Sequence, residues 1–185
     1  MLIKRAGMSL VEVVAAVLIV ALLAAAVYPT IAAQWRRGQS AALASQLGNL
    51  RDALEAYRDN VTRYPRTVSQ LNTALGVTAT DACGATMSPG IRNKWRGPYL
   101  SQNVSGEIPV GDATVKDTFV RVPPTDAGTA PGILRIRVIN VDTLAAIDVE
   151  RQFDGAEQAN FGSGNVLWST AGSDTLWFQI SIRNC

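Results

Sequence analysis

The side chains able to do chemistry in this chain are few, and their types exclude more than they offer. There is no histidine among the 185 residues. A His-based triad, a His-ligated metal and a His proton shuttle are therefore ruled out. Serine and cysteine have no imidazole base, and neither a GxSxG elbow nor a P-loop occurs. Cys83 and Cys185 are far apart and form no CxxC pair, which argues against a zinc or redox motif. Asp142, Asp148 and Asp154, with Glu157, make a loose acidic cluster that could hold Ca²⁺. Their spacing matches no EF-hand, so a solvated loop is the favoured reading. The chain reads as a non-enzyme without a cofactor. One carboxylate stands apart. Glu12 lies at the start of an apolar run, and from Val13 through Trp35 no other charge follows.

The elements that carry these residues divide the chain in two. About 20 apolar residues suffice to span a bilayer as a helix, and Val13 to Ala33 meets that length. A conventional secretory signal would use Lys4 and Arg5 as its basic region and cleave near Ala24-Ala25-Ala26. A plain anchor and an anchor with a short basic leader cut off before the apolar run are the other readings. Glu12 favours the last, because an ionisable group in a membrane helix is costly and is by default functional. Lys4 and Arg5 precede the span and Arg36 and Arg37 follow it, so positive charges alone do not set the orientation. The net charge is only +2, which argues against a dedicated nucleic-acid surface. If the soluble part lies outside the cytoplasm, Cys83 and Cys185 most simply form one disulfide that pins the C-terminus. In a cytoplasmic protein they would be two unpaired buried thiols.

Beyond Pro29 the helix is expected to continue. Leu43, Leu47, Leu50, Leu54, Tyr57 and Val61 recur at steps of three and four, an amphipathic stripe suited to packing on a sheet. Gln46, Asn49, Arg51, Asp52, Glu55, Arg58 and Asp59 fall on the other faces. Tyr64-Pro65 should stop the helix, and a short helix is expected at Val68 to Leu75. Strands are expected at Thr118 to Val122, closed by Pro123-Pro124, and at Gly132 to Val141, Val166 to Ser169 and Thr175 to Arg183. A helical turn is expected at Thr143 to Glu150. The fold class is α+β, an antiparallel sheet laid across one long helix.

Gly7-Met8-Ser9-Leu10-Val11-Glu12 resembles the cleavage and methylation motif of type IV pilins and type II secretion pseudopilins. The resemblance implies a leader at residues 1–7 and peptidase cleavage between Gly7 and Met8, with N-methylation of Met8. Glu12 falls on the fifth mature position, where the family keeps a Glu that neutralises the N-terminal ammonium of a neighbouring subunit and sets its register. Pro29 falls where many members have a helix-bending proline. "RYPRTVSQL" resembles the segment after the family's long helix. "KWRGPYL", Lys94 to Leu100, resembles a Trp-Gly-x-Pro-Tyr segment of major pseudopilins with the Gly displaced by one position. Met8, and a disulfide of the kind that commonly closes the C-terminal region of pilin heads, favour a type IV pilus. The KWRGPYL segment favours a secretion pseudopilus.

The resemblance implies a pilin fold organised as leader 1–7, a transmembrane and filament-core half of the helix 8–34, an amphipathic half 35–63, and a head 64–185. It further implies a single-pass precursor in the bacterial inner membrane, surrounded by lipid, with its head in the periplasm. Its partners would be other pilin-like subunits of a helical filament, the prepilin peptidase and methylase, and an inner-membrane assembly platform. Two alternatives stand beside it. A soluble binding domain could be secreted by cleavage near Ala26, and a competence-type pseudopilin could touch DNA if Arg135, Arg137 and Arg183 gathered into one patch.

Overall fold

A computed structural model describes residues 10–102, 106–122, 132–155, 164–168 and 174–182. The chain divides into two compact units, residues 1–38 and 39–185. The arrangement is α+β: a long N-terminal helix and a C-terminal antiparallel sheet, as in a pilin-like fold. Helix α1 runs from Leu10 to Val61. Two single-turn helices follow, α2 at Ser69–Asn72 and α3 at Pro89–Arg92. The remaining elements are β1 (Ile108–Val110), β2 (Ala113–Val122), β3 (Gly132–Ile139), α4 (Thr143–Asp154), β4 (Val166–Trp168) and β5 (Leu176–Ile182). The five strands described form one sheet in the order β1-β2-β3-β5-β4, with every pair antiparallel.

The stripe expected on the second half of α1 is the helical side of the core. Leu43, Leu47, Leu50, Leu54, Tyr57 and Val61 are all buried. The opposite side is supplied by alternation in the strands, since successive side chains of a strand point to opposite faces. Leu134, Ile136 and Val138 of β3 are buried, as are Leu176, Phe178, Ile180 and Ile182 of β5. These residues belong to one continuous apolar cluster. Gln46, expected on a polar face, departs from that reading and is buried beside Leu47. Steps of three and four make a stripe wide enough to take in the flank on which it sits.

Several boundaries move for identifiable reasons. Helix α1 stops at Val61, ahead of Tyr64-Pro65. Thr62 adopts a left-handed φ of 64° and its N–H donates to the Arg58 carbonyl at 2.7 Å, which closes the last turn. The helix expected at Val68 to Leu75 shrinks to α2, while α4 runs one turn past Glu150 to a left-handed Gly155. Strand β2 begins at Ala113, five residues earlier than its alternation suggests. A register shift between Val115 and Phe119 hides that part, because extra residues break the period of two. The irregular stretch also has a use. The Asp117 carbonyl accepts from Val68 N–H at 2.8 Å, its carboxylate accepts from Ser69 N–H at 3.1 Å, and Phe119 N–H donates to the Arg66 carbonyl at 2.9 Å. Pro123-Pro124 lies outside the described residues.

KWRGPYL buttresses the helix. Trp95 Nε1–H donates to the Gln70 carbonyl at 3.0 Å, and Tyr99 N–H donates to the Leu71 carbonyl at 2.8 Å. The Tyr99 ring meets Tyr57 of α1 edge-on at 5.5 Å and Trp95 at 5.9 Å. The Gly97-Pro98 bond is cis. A Cβ on Gly97 would overlap the Trp95 indole and lie 2.9 Å from Tyr99 Cδ2. Glycine is therefore required by close approach. Replacing Gly97 by Ala should cost about 1–3 kcal/mol through overpacking, read as a lower thermal midpoint of the purified chain. An unchanged midpoint would mean that the two aromatic rings yield freely.

Tyr57 is fully buried, and its hydroxyl faces Met87 Sδ at 3.7 Å. Burial, reinforced by Tyr99 and Asp81, pushes its phenol well above the ordinary value. A phenol held neutral in the fold ionises more readily when unfolded. Its contribution to stability is thus complete below about pH 10 and is lost as pH rises toward the folded value. Urea midpoints taken between pH 9 and 12 should fall faster for the native chain than for Tyr57→Phe; parallel curves would refute the assignment.

Candidate functional site

The candidate site is the first half of α1, and its chemistry is that of an exposed apolar surface. Every residue from Leu10 to Ile31 is exposed. Val17, Leu18, Ile19 and Val20 are consecutive and each more than half exposed. Four consecutive residues cover all sides of a helix at about 100° per residue, so the segment is apolar all round. Such a helix is stable when lipid or other helices surround it. The stretch is long and apolar enough to cross a membrane, and none of its most apolar window is buried within the chain. At 1.5 Å per residue, Val13 to Ala33 spans roughly 31 Å, close to the thickness of a hydrocarbon core. A cleavable signal sequence would pass the same test of length and composition.

Glu12 lies in the first turn of α1, the only charged side chain between Leu10 and Trp35. A carboxylate there complements the positive end of the helix dipole. Gly7 and Met8, the expected cleavage and methylation positions, lie outside the described residues. Pro29 sits within α1 without ending it. Its missing N–H removes one helical hydrogen bond, and the next residue, Thr30, donates its hydroxyl to the Val27 carbonyl at 2.6 Å.

Cys83 is exposed in a loop built by Asp81. The buried Asp81 carboxylate accepts from Cys83 N–H at 3.0 Å and Ala85 N–H at 2.9 Å, with Arg63 3.8 Å away. No free cysteine occurs among the described residues. Cys185 lies outside them, so the expected pairing is not on view.

The acidic residues first considered for calcium are placed on separate tasks. Asp142 caps α4 by accepting from Leu144 N–H at 3.2 Å. Asp148 accepts from the Ser40 hydroxyl at 3.0 Å and pairs with Arg151 at 3.5 Å. Asp154 accepts from Asn165 N–H at 2.8 Å, from the Asn165 amide at 2.9 Å and from Val166 N–H at 2.8 Å, which ties the end of α4 to the start of β4. No three acidic or sulfur side chains meet as a metal-ligand group among the described residues, and Glu157 lies outside them. Arg135 and Arg137 share the outer face of β3, where Arg135 Nε–H donates to the Gln179 amide oxygen at 2.8 Å. Arg183 lies outside the described residues.

Sequence reasoning overlooked Glu150. It is fully buried and accepts from Trp168 Nε1–H, an anchor between α4 and β4. The signal was present. Ala146, Val149, Glu150 and Phe153 repeat at helical spacing, which puts the acid in an apolar stripe. A scan against protein-family models and searches of curated proteins and of solved structures each found no match.

Proposed function

We propose that this chain is a pilin-like structural subunit, held in a bacterial inner membrane as a precursor and assembled after processing into a type IV pilus filament. The observation that carries the reading is the all-round apolar Leu10–Ile31 segment, exposed at every residue, with a single carboxylate at its start. Apolar helices in lipid gain nothing from sliding past one another, so polar contacts and close packing decide their register. A carboxylate is costly in such a setting unless an opposite charge meets it. Cleavage after Gly7 would supply that charge as the Met8 ammonium of a neighbouring subunit. The pair would fix the axial step of a filament whose apolar helices pack together. Within residues 39–185, the second half of α1 is part of the core. A pull on the helix would therefore be transmitted to the head through packing as well as through the chain. A type II secretion pseudopilin is the second reading. It is favoured by the Lys94 to Leu100 segment, which resembles that group and holds α2 through Gln70 and Leu71.

The decisive measurement is the intact mass and mapped N-terminus of the native protein, extracted from membranes without reductant. The expected species begins at a methylated Met8 and carries oxidised thiols. A chain beginning near Val27 would overturn the filament reading and make this a conventionally secreted domain. For Glu12→Gln, processing and head folding should persist while filament yield falls by about tenfold or more, since an uncompensated ammonium is left in low dielectric. Unchanged filaments, counted by electron microscopy, would remove the pairing role.

A further inference from the structure

Between α1 and the segment that follows Pro98 lies a cavity of about 340 Å³. This is at the small end of the roughly 300–1,000 Å³ range of ligand pockets. It lies wholly within residues 39–185 and takes no part in the filament chemistry of the N-terminal segment. Gln46, Asn49 and Asp52 line one wall, spaced three residues apart along α1, and Tyr99, Ser101 and Gln102 line the other.

Gln46 is the informative residue. It is only 8% exposed, yet its amide has no hydrogen-bond partner among the described residues. The residue is nearly buried, but its amide nitrogen and oxygen are not sealed from solvent, so they are open to a ligand's hydroxyl groups. Here the unpaired amide borders a cavity. The side chains of Asn49, Asp52 and Ser101 are exposed and make no hydrogen bond with the described residues. Gln102 is engaged only through its backbone carbonyl, which accepts from Asn72 Nδ2 at 2.6 Å. Three amides, a hydroxyl and a carboxylate thus bring donors and acceptors together on one small space. Their chemistry selects the occupant. With one negative charge and no cation in the lining, an anionic ligand is disfavoured. A lone carboxylate is too little for a divalent ion. Adjacent hydroxyls of a sugar can donate to Asp52 and accept from amide N–H groups. The small apolar residues Ala53 and Ala56 and the Tyr99 ring offer a surface for the C–H face of a pyranose.

We propose that this groove binds a neutral saccharide. The site is independent of the filament reading and would stand if that reading fell.

The test uses the full chain in nanodiscs of zwitterionic lipid, which avoids sugar-based detergents. Methyl glycosides of glucose, galactose, mannose and N-acetylglucosamine are the probes, with sialic acid and glucuronate as anionic comparators, read by saturation-transfer NMR. At least one neutral glycoside should receive saturation. Gln46→Leu should weaken it about three- to tenfold, and Asp52→Asn by about tenfold, as expected for lost neutral and charge-assisted hydrogen bonds. If Gln46→Leu perturbs the fold by near-ultraviolet circular dichroism, Gln102→Ala on the exposed wall serves in its place. Absence of any neutral response, preference for the anionic sugars, or binding indifferent to these variants would overturn the proposal. So would resonances of the groove that shift on raising the concentration of the chain and not on adding sugar, because the groove would then be a subunit contact.

Discussion

The interaction on which the head depends is the insertion of one face of α1 into the core. Leu47, Leu50, Leu54, Tyr57 and Val61 are fully buried. Each such side chain contributes about 1.5–3 kcal/mol on burial, against a net folding stability of only about 5–15 kcal/mol. The strands cannot bury Leu134, Ile136, Val138 and Phe178 without that face, and the helix cannot bury its stripe without the strands. The same helix, some twenty residues earlier in the chain, presents apolar side chains in every direction. One element thus carries two kinds of surface. The change is written as a switch from an unbroken apolar run to a pattern of period 3.6.

The stretch between α1 and β1 has little regular structure, yet much of its backbone hydrogen-bonding capacity is met. Asp81 gathers Cys83 and Ala85, Asp117 receives Val68 and Ser69, and Trp95 and Tyr99 seal Gln70 and Leu71. These are polar anchors from residues distant in sequence. They explain how a long connection can be well defined without helices or strands of any length. They also give KWRGPYL a purpose that needs no partner: its aromatics and the glycine between them lock the connection against Tyr57.

The acidic residues around α4 show how sequence proximity misleads. Six residues along a helix turn a side chain by about 240°, so Asp148 and Asp154 face different neighbours. Each instead pairs with a local donor, at Ser40 and at Asn165. Asp142 takes the cap at the helix start. Glu150 sits inside, where the Trp168 indole meets it. The result is a helix fastened at both ends and in the middle, and the carboxylates are occupied by the fold itself.

What the sequence by itself determined was whatever is periodic or contiguous. The stripe from Leu43 to Val61, the alternation of β3 and β5, the length of the apolar run and the isolation of Glu12 are local patterns, and local geometry reads them without ambiguity. The tertiary structure decided what depends on pairing between distant segments. Strand β5 lies between β3 and β4 although β4 precedes it in the chain. Strand β1 has only three residues, one of them Pro109, too few to show a period. The first half of β2 was hidden by the irregularity that grips Val68 and Ser69. The roles of Asp81, Glu150 and Gln46 follow the same rule. A polar residue's type says that it needs a partner or solvent, but only the fold determines which of these reaches it.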